Sequence, residues 1–364
     1  MKKFDTTAMG QATDAVRAGD LMEATRLIQA ALGNASGQGC APGQTNPLPQ
    51  RNSLPDMNAM LKGLPRGGAF NTRMPSFKPR LKKGARRMAH GMGGESFSCD
   101  AGSRDYVLHL PKGRETAPTG LVMMLHGCTQ NPHDFAAGTG MNALADRHGF
   151  AVVYPGQSRE ANMQSCWNWF NPANQQRAGG EPEILAGLAQ KIVGDHKIPA
   201  DKVFVAGLSA GAAMAVILGQ THGDIFAGVG VHSGLPYGVA TDVASAFAAM
   251  GNPPAAGGAE TAVRTIVFHG TADKTVHPGN GDLIAARQVE LSGAVRISEE
   301  IAGARNARRD VVRDENGVPV LEHWVVNDLG HAWSGGRSEG SYTDPEGPDA
   351  SAAMVRFFFN DEVK

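Results

Sequence analysis

Four short runs in this chain are almost continuously apolar: LVMMLHG, FAVVYP, VFVAGLS and TIVFHG. A strand with one face in water alternates apolar and polar residues, so an unbroken run marks a strand buried on both faces. Three more strand candidates, DYVLHLP, GVGVHSG and EHWVVND, lie among them. Helical stretches fall between: FAAGTGMNALADRHG, EPEILAGLAQKIVGDH and AGAAMAVILGQTHG. Strand and helix in repetition from Ser96 onward predict an α/β domain over 96–364. Its mostly parallel central sheet is flanked by helices, and its chemistry is expected at the carboxyl ends of the strands.

The preceding residues have a different character. Leu21, Ala24, Ile28 and Leu32 fall on one face at helical spacing, so 1–34 is expected to be a short helical segment ended near Gly33. From 35 to 95 the composition turns to Gly, Pro and basic residues without a period, the pattern of a flexible, disordered linker. Between Arg51 and His90 the net charge is +9, while the rest of the chain carries −10. The overall charge of −1 argues against a general nucleic-acid binder. No apolar run reaches about 18 residues, so no membrane span is expected. The first twenty residues hold no apolar core of a secretory signal, which gives a cytoplasmic expectation with export by a non-classical route as the alternative. The four cysteines show neither a CxxC pair nor metal spacing, and no histidine pair has it, so no metal is expected.

One strand-to-helix junction carries chemistry. Gly207-Leu208-Ser209-Ala210-Gly211 places a serine between a buried strand and an Ala-rich helix, the context of a nucleophile elbow. Its glycines let strand and helix pass without Cβ clashes, and the helix N-terminus faces the charge that develops in the reaction. A second copy of the pattern, Gly336-Arg337-Ser338-Glu339-Gly340, has no strand before it and no helix after it, and is expected to be a loop.

A serine needs a base, and the base needs an acid to orient it. Asp273 follows TIVFHG and His331 follows EHWVVND, each just past a strand end and in the order Ser, Asp, His. Among the competitors, Asp328 lies on the same loop as His331, three residues away. His323 sits within a strand run, His269 and His277 flank the acid, and His232 ends a strand that could line the cleft. The oxyanion is expected on two backbone N–H groups, those of Ala210 and of Cys128 in the turn His126-Gly127-Cys128-Thr129-Gln130. Trp167 and Trp333 are candidate flat apolar surfaces for substrate, with core packing as the other reading. Gln130, Asn131 and Gln157 are polar loop candidates.

The blocks LHGCTQ, CWNWF, GLSAGAAMA, HGTADKTVHP and GHAWSGG resemble the polyhydroxybutyrate-depolymerase-like esterases. These are close to the carbohydrate esterases that release acetyl or feruloyl groups from xylan. The resemblance spans roughly 96–360. It implies an α/β-hydrolase fold without a cofactor and ester cleavage through an acyl-enzyme, with Ser209, Asp273 and His331 as triad and Cys128 and Ala210 at the oxyanion hole. It also implies a candidate disulfide between Cys128 and Cys166, which conflicts with a cytoplasmic location because such bonds belong to oxidising compartments. Polyhydroxybutyrate or short hydroxyalkanoate oligomers are the expected substrate, with acylated plant glycan as the alternative. A reading from another class is a non-catalytic protein that binds storage granules through residues 1–90.

Overall fold

The computed structural model describes residues 94–113, 116–253, 263–292 and 296–359. The expected helix over 1–34 and nearly all of the linker over 35–95 lie outside them. Ten strands form one sheet in the order β1-β2-β4-β3-β5-β6-β7-β10-β9-β8. The strands are β1 (Glu95–Cys99), β2 (Gly102–His109), β3 (Leu121–Leu125), β4 (Ala151–Pro155), β5 (Val203–Leu208), β6 (Gly228–His232), β7 (Arg264–Gly270), β8 (Arg296–Ile301), β9 (Ala307–Arg313) and β10 (Pro319–Val326). The six central strands, β4 through β10 in that order, are parallel. Antiparallel strands extend both edges. β1 begins at Glu95, one residue ahead of the expected boundary.

All residues of β3, β4 and β5 are buried, as their unbroken apolar runs require, and those of β6 are buried with them. Their side chains alternate between two cores. Leu121, Met123 and Leu125 of β3 pack on one side with Val153, Val205 and Val231; Val122 and Met124 pack on the other with Val152, Phe204 and Phe268. Helices α3 (Gly180–His196), α4 (Ala210–Thr221), α5 (Val243–Gly251) and α6 (Gly279–Ser292) contribute to the first core. Helices α1 (Pro132–Thr139), α2 (Met141–His148) and α7 (Ala350–Phe359) cover the second.

Two expectations change in detail. FAAGTGMNALADRHG is two helices rather than one stretch. Gly140 adopts φ 63°, and its N–H bonds to the Ala136 carbonyl, ending α1 before α2 begins. The structure also adds β8 and β9, where the sequence reading placed no strand. RISEEI and ARRDVVR carry too much charge for an apolar pattern, yet Asp310 of β9 is buried because Arg296 and Arg308 neutralise it. Short strands β11 (Trp333–Ser334) and β12 (Thr343–Asp344) pair beyond the main sheet.

Candidate active site

Ser209 sits between β5 and α4 with φ 57° and ψ −119°, a left-handed backbone that a non-glycine residue adopts only under constraint. The constraint is visible at the flanking glycines. A Cβ on Gly207 would lie 2.4 Å from the Gly211 carbonyl carbon, and one on Gly211 would lie 2.1 Å from the Leu125 oxygen and 2.6 Å from the His126 oxygen. The carboxyl end of β3 thus presses against the first turn of α4. Gly211→Ala is expected to cost about 3 kcal/mol, because backbone rather than a movable side chain opposes the methyl. Denaturant unfolding tests this, and a variant as stable as the parent would contradict the close approach.

The HGCTQ turn is held by its own residues. Gln130 accepts the Gly127 N–H at 2.9 Å through its side-chain oxygen, and its amide donates to Asp134 at 2.9 Å and to the Ser341 carbonyl at 3.0 Å. The Thr129 N–H goes to Gln164 and the Gln130 N–H to Gly127. That leaves the Cys128 N–H as the donor of this turn. The Ala210 N–H is the second, since the first residues of a helix have no intrahelical acceptor. His126, fully buried, fixes the turn from behind. Its Nε2 accepts the Gln157 N–H at 3.1 Å and its Nδ1 donates to the Gly127 carbonyl at 2.8 Å, a neutral tautomer that burial favours by pushing the pKa down to about 4. Cys128 and Cys166 form a disulfide, with Cα atoms 4.2 Å apart, tying the turn to the CWNWF loop.

The acid and base come together as their order suggested. His331 Nδ1 donates to Asp273 Oδ2 at 2.8 Å, so Nε2 is the nitrogen available to take a proton from Ser209. The Asp273 side chain is fully buried. Its other oxygen accepts the N–H groups of Thr275 and Val276 at 2.9 Å each, and His269 Nε2 lies 3.5 Å from Oδ2. Burial alone would raise this carboxyl, but hydrogen bonds to His269 and His331 outweigh it and hold the pKa well below the usual range. The acid is therefore ionised and cannot drift from the imidazole. The loops of acid and base are stitched together by Ala272 N–H to the Leu329 carbonyl at 3.0 Å, and Gly270 leaves the room for Leu329.

His232 joins the nucleophile to the base. Its carbonyl accepts the Ser209 N–H at 2.9 Å, its Nε2 accepts the Ser334 N–H at 3.0 Å, and its ring stacks on Trp333 at 5.1 Å. Sequence alone leaves His232 between lining the cleft and packing; in the fold it ties the Ser209 turn to Ser334, three residues past His331. Nothing in the sequence pattern marks it, because the contact spans 102 residues. Asp328 donates its N–H to Thr271 and its carbonyl accepts from Arg305, while the Nδ1 of His331 is engaged by Asp273. Gly336–Gly340 is a loop, as expected, exposed at Arg337, Ser338 and Glu339 with Gly336 buried.

Three proposed substrate contacts are corrected. Trp167 is fully buried and donates its indole N–H to the His126 carbonyl at 3.1 Å. Trp333 is equally buried between Phe135 and His232 and donates to Ser351 Oγ at 3.0 Å. Gln130 is 4% exposed, with its amide spent on the turn. All three shape the site from inside the core, since a side chain with its polar atoms paired and no open surface has none to offer a substrate. The exposed apolar groups at this edge are Tyr342, whose hydroxyl lies 3.3 Å from Thr129 Oγ1, and Met163 on the loop ahead of Cys166. Neither stood out in the sequence.

The family model described as "Esterase PHB depolymerase" matches residues 104–315, more than half of the chain. The chain belongs to this family. Poly(3-hydroxyalkanoate) depolymerase C of Paucimonas lemoignei is 32% identical over 253 residues, 65% of this chain and 60% of that protein. Poly(3-hydroxybutyrate) depolymerase of Ralstonia pickettii is 30% identical over 263 residues, covering 66% of this chain and 54% of that protein. The chain thus spans little more than half the length of these relatives. Acetyl xylan esterase from Aspergillus awamori superposes with a TM-score of 0.55 at 18% identity, over 71% of this chain and 94% of that one, which identifies the shared α/β-hydrolase fold.

Proposed function

We propose that this protein is a serine esterase that cleaves carboxylic esters through an acyl-enzyme. The carrying observation is the hydrogen bond that joins His331 to the buried Asp273, together with the strained backbone of Ser209 at the start of α4. His331 takes the proton of Ser209 as the hydroxyl attacks the ester carbonyl, and the oxyanion rests on the N–H groups of Cys128 and Ala210. The leaving alcohol receives that proton from His331. Water, activated by the same imidazole, then releases the acid and restores Ser209.

Polyhydroxybutyrate or short hydroxyalkanoate oligomers are the substrate this reading favours, supported by the depolymerase names of two relatives at or above 30% identity. Acylated glycan is the second reading, supported by relatives described as acetylxylan esterases and by the shared fold. Attachment to a storage granule is a further part of the reading and rests on the basic character of residues 51–90. On location, the Cys128–Cys166 disulfide weighs toward the exported alternative over the cytoplasmic expectation.

Product analysis tests the substrate. Full-length protein offered hydroxybutyrate oligomers, acetylated xylan and methyl ferulate is expected to release 3-hydroxybutyrate fastest. Preferential release of acetate or ferulate would move the assignment to the glycan esterases. Co-sedimentation with polyester granules without any released acid would favour the non-catalytic binder.

A further inference from the structure

A cavity of about 270 Å³ lies on the α6 side of the sheet, lined by β8, β9, β10 and α6. Strand parity builds it. The register pairs His323 of β10 with Asp310 of β9, and Asp310 with Ser298 of β8. Residues two positions away on each strand, Leu321, Arg308 and Arg296, therefore share that face. Helix α6 closes the other side with Ala285, Ala286 and Val289, and Asp282 stands at its rim.

The polar groups here are incompletely used. Asp310 is buried and held by Arg296 Nη2 and by Arg308 Nε, the latter at 3.3 Å. Each guanidinium engages it with one nitrogen, and about half of each side chain faces solvent. His323 is 3% exposed, and its Nε2 has no hydrogen-bond partner. The Asp282 carboxylate oxygen Oδ1 stands 3.9 Å away, too far for a direct bond but suited to a hydroxyl that meets both. A buried imidazole nitrogen without a partner is costly unless something fills the gap.

We infer that this cavity binds a short carboxylic acid bearing a hydroxyl group. The carboxylate sits on the remaining N–H groups of Arg308 and Arg296, as guanidinium groups favour. The hydroxyl accepts from His323 Nε2 and donates to Asp282, and the short alkyl chain lies against Ala285, Val289 and Leu321. Choosing a hydroxy acid as the probe rests on the proposed reaction, which releases one. The site is separate from the triad but mechanically joined to it: β10 runs on into the loop of His331, and α6 follows the loop of Asp273.

Calorimetric titration of the full-length protein with 3-hydroxybutyrate and with butyrate tests this. Saturable binding of 3-hydroxybutyrate is expected, with butyrate weaker by about tenfold for lack of the hydroxyl. Arg308→Gln is expected to weaken 3-hydroxybutyrate by about tenfold while leaving hydrolysis of a p-nitrophenyl ester unchanged, Arg296 still holding Asp310. His323→Leu is expected to erase the preference over butyrate. Absence of saturable binding, or binding indifferent to Arg308→Gln, would overturn the site. Failure of the wild type to hydrolyse any ester would instead count against the proposed function, so the two outcomes separate.

Discussion

Ser209→Ala is expected to lower ester hydrolysis by about 10⁶-fold, the scale on which a serine triad loses its nucleophile. The methyl of alanine preserves the Cβ of serine, and the close packing of Gly207 and Gly211 that sets the strained backbone is untouched. The thermal unfolding midpoint is therefore expected to stay close to that of the parent, so lost activity would reflect chemistry rather than folding. Asp273→Asn is expected to cost about 10⁴-fold, because the amide no longer selects the His331 tautomer that exposes Nε2. Combining the two should add little to Ser209→Ala alone, since residues that act as a unit are not additive. Turnover of p-nitrophenyl butyrate measures all three variants. Hydrolysis at the parent rate by a correctly folded Ser209→Ala protein would remove this serine from the mechanism.

Acid should unfold this protein steeply. Burial pushes His126 down to about 4, His232 to about 3 and His323 to about 4, from an ordinary value near 6.5. Each is neutral when folded and gains a proton on unfolding at any pH between its two values. Near pH 5 the unfolded chain therefore binds up to three more protons than the folded one, and stability climbs with pH by up to about 4 kcal/mol per unit. The contribution is whole above about pH 7 and is lost as pH falls through 6.5 toward 3. Asp273 acts in the same sense further down: its hydrogen bonds with His269 and His331 overcome burial, and the stability they give is lost once the carboxyl is protonated. Urea midpoints measured from pH 7.5 to pH 5 check the slope, and a flat profile would contradict neutral burial of these rings. The functional link is direct, since His126 needs an unprotonated Nε2 for Gln157 and His232 needs one for Ser334.

Much of the site was legible because its chemistry is local. The elbow around Ser209 requires glycine at fixed offsets, and an apolar strand before a small-residue helix can be read without a partner. Asp273 and His331 were readable from their places after strands, because a parallel sheet brings all such ends to one edge. The central strands were likewise fixed by burial on both faces, which leaves an unbroken apolar record in the chain.

The tertiary structure alone decided the rest, and each case turns on a long-range partner. Trp167 and Trp333 look the same in sequence whether they face a cleft or a core; their indole bonds to His126 and Ser351 put them in the core. His232 ties the Ser209 turn to Ser334, three residues past His331. Strands β8 and β9 form despite their charges because Arg296 and Arg308 neutralise Asp310. Periodicity records which residues must leave water, so the sequence by itself determined the central strands and put Ser209, Asp273 and His331 at their ends. Which polar atom meets which depends on distances between segments far apart in the chain, and only the folded protein sets those.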